Sequence, residues 1–136
     1  MTAKEYLSQA RRLKAIIHSR RRELEYWKQM EGAVSGSQFE AHYNPNRASE
    51  APFVRCVTKI DDVERGLADL IEELACLVKD IEDRLDALDD REEHLLLRYR
   101  YLEGYSWEKI SVLMSVSLRT VHRIHASALQ KFPAPD

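Results

Sequence analysis

Cationic and hydroxyl side chains near the carboxy terminus are the strongest candidates for chemistry in this 136-residue chain. The segment VSLRTVHRIHASAL, residues 116–129, places Arg119 and Arg123 four residues apart. At 100° per residue the two arginines share one face of a helix. The flanks of that face add hydroxyl and imidazole groups, on Thr120, His122 and Ser127. The opposite face is apolar, with Val121, Ile124, Ala128 and Phe132. Long donors near a helix N-terminus suit base edges in the DNA major groove, and hydroxyls suit phosphates.

Two short capped helices are expected to position these side chains. Ser106 is placed to cap the helix WEKISVLM, and Ser117 is placed to cap the final helix, which runs to about Lys131. A tight turn at Ser115-Val116 joins them, which is the helix-turn-helix pattern. A preceding helix should begin after an Asp90 cap and stop at Gly104.

The amino-terminal part of the chain predicts a long antiparallel helical hairpin, with helices over about 3–31 and 57–89. The segment between them, 32–55, is rich in Gly, Ser, Asn and Pro and is expected to be a flexible loop. The predicted fold is therefore all-α, with the hairpin over 1–89, a three-helix domain over 90–132 and a tail over 133–136.

Charge is distributed very unevenly over these parts. Residues 1–31 carry eight Lys/Arg against four Asp/Glu, whereas residues 56–93 carry five against fourteen. Opposite charges on the two long helices favour their pairing. Residues 94–136 carry six basic and three acidic side chains, so the last third is basic although the whole chain has a net charge of −2. Arg20 interrupts the apolar stripe of the first helix and could face either the acidic helix or a second protomer.

Other reactive side chains lack the partners that catalysis or metal binding requires. His122 and His125 are three apart, but no third ligand joins them, and His125 falls on the packed side of its helix. Cys56 and Cys76 are expected to be reduced thiols. The carboxylates of 61–93 lie along a solvated helix face, and no phosphate loop or hydrolase motif occurs. We predict no enzyme activity, no cofactor, no metal, no membrane span and a cytoplasmic location.

The segment LLLRYRYLEGYSWEKISVLMSVSLRTVHRIHASALQKF resembles region 4 of bacterial sigma factors, which reads the −35 promoter element. The resemblance covers about 90–132, and it implies that Leu118, Arg119, His122 and Arg123 face bases and nearby phosphates. Two departures are Ser115, where glycine is usual in the turn, and Leu118, where arginine is common. Over nearly its whole length the chain also resembles small phage and prophage proteins whose relatives regulate late-gene transcription.

Three functions follow as hypotheses. The first is a sequence-specific transcriptional regulator that binds double-stranded DNA through Ser117, Leu118, Arg119, Thr120, His122, Arg123 and Ser127, in the cytoplasm of a bacterial host. In that hypothesis the long helices mediate homodimerisation or contact RNA polymerase. The second is a protein-interaction module, for polymerase or a phage-assembly partner, that does not read DNA. The third is a structural helical protein of a phage particle.

Overall fold

The computed structural model of the protein describes residues 1–36 and 51–136, and no strand occurs in those ranges. The helices are α1 (Ala3–Gly36), α2 (Ala51–Leu85), α3 (Arg91–Leu97), α4 (Trp107–Met114) and α5 (Leu118–Lys131). A π-helical segment, Arg98–Leu102, continues α3 directly. The predicted all-α fold, with long helices followed by a helix-turn-helix, is confirmed.

The two long helices end at different residues from those expected. α1 continues to Gly36, and α2 already begins at Ala51. Pro52 lies in the first turn of α2, where its missing N–H would have no intrahelical acceptor. Both ends of the predicted loop 32–55 are therefore helical, and residues 37–50 of that prediction lie outside the described residues. α2 stops at Leu85 rather than at 89, because residues 86–88 turn with short backbone bonds such as Leu88 N to Leu85 O, 2.9 Å.

The chain divides into two compact units, of which unit 2 comprises Ala15–Glu72. Its buried apolar side chains are Ile17, Cys56, Val63 and Leu67. Trp27 and Met30, late in α1, line a cavity with the first two turns of α2. Arg20, earlier in α1, lines a second cavity with residues 59–70, which lie further along α2. The helices therefore run antiparallel within this unit. Arg20 is exposed and pairs with Glu23 of its own helix, Nη1 to Oε2 at 2.9 Å. It also lines its cavity together with Asp62 and Asp69 of the acidic helix α2, and its contact with a second protomer stays a prediction.

Unit 1 comprises Met1–Lys14 together with Glu73–Asp136. Its core collects apolar side chains from every helix, and the largest fully buried ones are Leu7, Ile81, Leu85, Leu96, Leu97, Ile110 and Val121. Tyr6 of α1 donates to the Asp80 carboxylate of α2 and packs near the ring of Phe132, at 6.3 Å between centroids. The start of α1 is thus part of the same core that carries α5.

The π-helical segment changes the hydrogen-bond pattern at the end of α3. The Glu103 N–H donates to the Arg98 carbonyl across five residues, at 3.0 Å. Gly104 then adopts φ +75°, a left-handed conformation that glycine takes without steric cost, and this ends the helix as predicted. Asp90 caps α3 by accepting from the N–H groups of Glu92 and Glu93, which confirms the expected start.

Candidate nucleic-acid interface

The turn between α4 and α5 is built by serine side chains. Ser106 accepts from the Lys109 N–H at 3.2 Å and caps α4, as predicted. Ser115 adopts φ 57° and ψ 42°, the left-handed conformation in which an L-residue is strained by roughly 1–2 kcal/mol. The Ser111 hydroxyl donates to the Val116 carbonyl and closes the turn. Ser115 therefore adopts the left-handed conformation at the turn position where the resemblance implies glycine.

The final helix presents its apolar face to the core of unit 1. Ser117 caps it by accepting from the Thr120 N–H at 3.2 Å, which confirms the predicted start. The buried side chains of α5 are Val121, Ile124, His125 and Ala128. The face assigned to packing from the sequence is therefore the buried face, and the orientation of α5 about its axis is fixed by this burial.

The opposite face of α5 carries the predicted contact residues. Arg119, His122 and Arg123 are exposed, and Leu118 exposes 42% of its surface. In the described ranges, 1–36 and 51–136, neither Arg119 nor Arg123 forms a salt bridge or side-chain hydrogen bond. Two long cationic side chains are thus available on one side of a helix held from the other side.

Ser117 and Thr120 lie together at the N-terminal end of α5. The Ser117 hydroxyl donates to the Thr120 hydroxyl at 3.0 Å, in addition to its capping bond. The N–H groups of the first helical turn point out of this end, where the helix dipole favours negative charge. The geometry is therefore suited to a phosphate beside the arginine face.

Trp107 and Arg100 support this face, although the sequence did not single them out as functional residues. The Trp107 ring lies 5.0 Å from the His122 ring and 4.6 Å from the His125 ring. The Arg100 guanidinium stacks over Trp107 at 4.1 Å and donates to the Tyr105 carbonyl. The stretch RYLEGYSW contains both residues. Their contact depends on the turn at Gly104, so the helical periodicity of the sequence could not predict it.

His125 lies on the packed side, as predicted. It is 9% exposed, and its Nε2 is 2.8 Å from the Tyr101 hydroxyl. Burial, and then the charges of Lys4, Arg100 and His122, lower the pKa of His125 to about 4. The imidazole is therefore neutral at neutral pH and joins two helices through a neutral hydrogen bond.

Ser127 is turned away from the face that the sequence assigned to it. Its hydroxyl donates to Glu93 Oε1 at 2.7 Å, and Lys131 donates to the same oxygen at 3.0 Å. Glu93 is 5% exposed, and its Oε2 has no hydrogen-bond partner within residues 1–36 and 51–136. This buried carboxylate links α3 to the last two turns of α5 through hydrogen bonds. Ser127 therefore helps to hold α5 in position against α3.

Replacing Ser127 by alanine is expected to lower the free energy of unfolding by about 1.5–3 kcal/mol, because it leaves a buried carboxylate with one fewer donor. Urea denaturation followed by circular dichroism measures this change. The same substitution in a Glu93→Gln background should cost clearly less, since the charge is then absent. An equal loss in both backgrounds would contradict the role of this contact.

Within residues 1–36 and 51–136, no group of three or more His, Cys, Asp or Glu side chains could hold a metal ion. None of the described helices is both long and apolar enough to span a bilayer.

A family comparison matches the carboxy-terminal part of the chain. Residues 84–132 match the profile of the family described as Sigma-70, region 4. The matched range begins in the last turn of α2 and ends at Phe132, directly after α5. Neither the curated proteins nor the solved structures gave a match to the chain. The carboxy-terminal part of the chain, residues 84–132, is therefore a sigma-70 region 4-like helix-turn-helix segment.

Proposed function

We propose that the protein is a sequence-specific DNA-binding transcriptional regulator of phage origin that acts in the cytoplasm of a bacterial host. The observation that carries the proposal is the outward face of α5, where Arg119 and Arg123 are exposed and unpaired within residues 1–36 and 51–136. A sigma-70 region 4 match over the same helix supports a DNA-binding role.

In this proposal α5 lies in the major groove and its two arginines read bases. Arginine pairs bidentately with guanine O6 and N7, which is the commonest specific contact in this groove. Leu118 offers an apolar surface to a thymine methyl group, and His122 lies at the border between bases and backbone. Ser117 and Thr120 lie at the helix N-terminus and bind a phosphate.

In this proposal the long helices mediate contact with a second copy of the chain or with RNA polymerase. A single helix-turn-helix reads few base pairs, so two copies on adjacent half-sites gain both affinity and specificity. Unit 2 exposes large apolar side chains that support contact with a second copy or with RNA polymerase, among them Ile16, Tyr26, Val57 and Ile71. Sedimentation of the full chain measures its mass, and a monomer at all concentrations would contradict the dimer.

A second candidate function has its own supporting observation. Val112 exposes 77% and Leu113 exposes 47% of its surface on α4, beside the turn. Exposed apolar side chains of this size are typical of a protein-binding surface. In this alternative the domain binds polymerase or a phage-assembly partner without reading DNA.

Selection of bound sequences from a random duplex pool, read at two salt concentrations, distinguishes the two candidates. The regulator is expected to enrich one motif and to lose affinity steeply as salt rises, because phosphate contacts release counterions. Enrichment of no motif, together with no retention of DNA above background at either salt concentration, would refute the regulator and favour the protein-binding module.

A further inference from the structure

Two cations of α1 flank the buried stripe of that helix on the same side. Lys4 and Arg11 are seven residues apart, so they lie on one line along the helix, next to the fully buried Leu7. Arg12 lies about 100° further round and is exposed. Because Leu7 is fixed in the core of unit 1, the direction of Lys4 and Arg11 is fixed as well.

Both side chains act electrostatically on titratable groups of the carboxy-terminal helices. The Lys4 ammonium contributes to the lowered pKa of His125 in α5. The Arg11 guanidinium contributes to the lowered pKa of Arg100 and opposes the rise in the pKa of Tyr101, both in the π-helical segment. All of these residues belong to unit 1. The cationic side of α1 therefore lies within electrostatic range of the segment that supports Trp107.

Cationic and aromatic groups follow one another from the π-helical segment to the arginine face of α5. Arg100 stacks on Trp107, and Trp107 packs against the exposed His122, which precedes Arg123 on α5. Lys4 and Arg11 form no salt bridge in the described ranges. Lys14, in contrast, has Glu103 nearby and is not part of this surface.

Resting on the function proposed above, we propose that Lys4 and Arg11 form a second phosphate-binding surface, which contacts the DNA backbone beside the N-terminal end of α4. The helix that precedes the recognition helix crosses the backbone in helix-turn-helix complexes, so phosphates are expected next to Trp107. Unpaired cations at that place gain free energy from counterion release without reading sequence. The amino-terminal helix thereby lengthens the footprint of the small carboxy-terminal domain.

The test measures how affinity depends on salt for Lys4→Gln and Arg11→Gln in the full chain. The matched control is Arg12→Gln, which removes the same charge one residue away but on another face of α1. The probes are a fluorescent duplex that carries the motif selected by the wild-type chain and a scrambled duplex of equal length. Circular dichroism melts check that each variant keeps the wild-type fold.

We expect each of the two substitutions to reduce the slope of log K against log salt by about 0.9, which is roughly an eightfold loss of affinity at about 0.1 M salt. The loss should be equal on both duplexes and should vanish near 1 M salt. Ethylation of the flanking phosphates should interfere with the wild-type chain and not with the two variants. Arg12→Gln should keep the wild-type slope.

Other outcomes separate this surface from the function on which it rests. If Arg123→Ala weakens binding while Lys4→Gln and Arg11→Gln keep the wild-type slope, the second surface is refuted and the regulator stands. If Arg12→Gln has the same effect as the other two, the charge acts at long range and the surface is refuted. If the wild-type chain binds neither duplex, both proposals are wrong.

Discussion

Alanine at position 123 is expected to weaken binding to the selected DNA motif by about 1–3 kcal/mol, which corresponds to about 5- to 150-fold in Kd. Arg123 has this effect because its guanidinium is exposed on the outward face of α5, while Val121 and Ile124 hold the helix from behind. Loss of a bidentate base contact should also relax the preference at one position of the motif. Arg119→Ala is expected to act in the same way at a neighbouring position.

Fluorescence anisotropy with the selected duplex and with single-base variants of it measures both effects. A matched control is Arg22→Ala, an exposed arginine of unit 2 that has no place in the proposed interface. The groove assignment is wrong if Arg119→Ala and Arg123→Ala leave both the Kd and the base preference unchanged. A uniform loss on every sequence would instead assign the two arginines to phosphates.

The stability of the protein is expected to fall as the pH is lowered from about 6.5 to about 4, because of His125. The folded chain holds this imidazole neutral, with its pKa lowered to about 4, while the unfolded chain protonates it near its ordinary value of 6.5. Throughout that window the unfolded chain binds more protons, so the free energy of unfolding decreases with falling pH. The full shift corresponds to a loss on the order of 3 kcal/mol at pH 4 and below.

Urea denaturation at several pH values, with wild type and His125→Gln compared, isolates this contribution. The glutamine variant cannot take up the proton, so its stability should decrease less over the same pH window. His18→Gln, a substitution in unit 2, should retain the wild-type decrease. Parallel pH profiles for wild type and His125→Gln would contradict the role of burial at this histidine.

Local signals in the sequence were sufficient for the short elements. Asp90, Ser106 and Ser117 cap helices because their side chains reach N–H groups two or three residues ahead, and this depends on neighbouring residues alone. Gly104 ends a helix for an equally local reason. The packed face of α5 was also predictable, because apolar residues recur there at the helical period.

Contacts between distant parts of the chain were not predictable from such signals. The sequence placed Ser127 on the DNA-facing flank, but its partner Glu93 lies in α3, and only the folded core brings the two together. The ends of α1 and α2 were missed because Gly36 and Pro52 occur in helical ends that tolerate them. The proximity of Lys4 to His125 likewise depends on tertiary packing, so the sequence contained no sign of it.

The π-helical segment determines which residues of the α3 region can share the core. Leu96 and Leu97 are buried, and so are Tyr101 and Leu102, so the buried pair recurs after five residues. In an uninterrupted α-helix a spacing of five turns a side chain by 140° relative to its predecessor, and one pair would point to solvent. The π-helical turn is wider and accommodates the additional residue, so the second pair points to the core again. There the Tyr101 hydroxyl forms its hydrogen bond with His125. One residue more or fewer in this stretch would therefore move the tyrosine off its partner while leaving the composition almost unchanged.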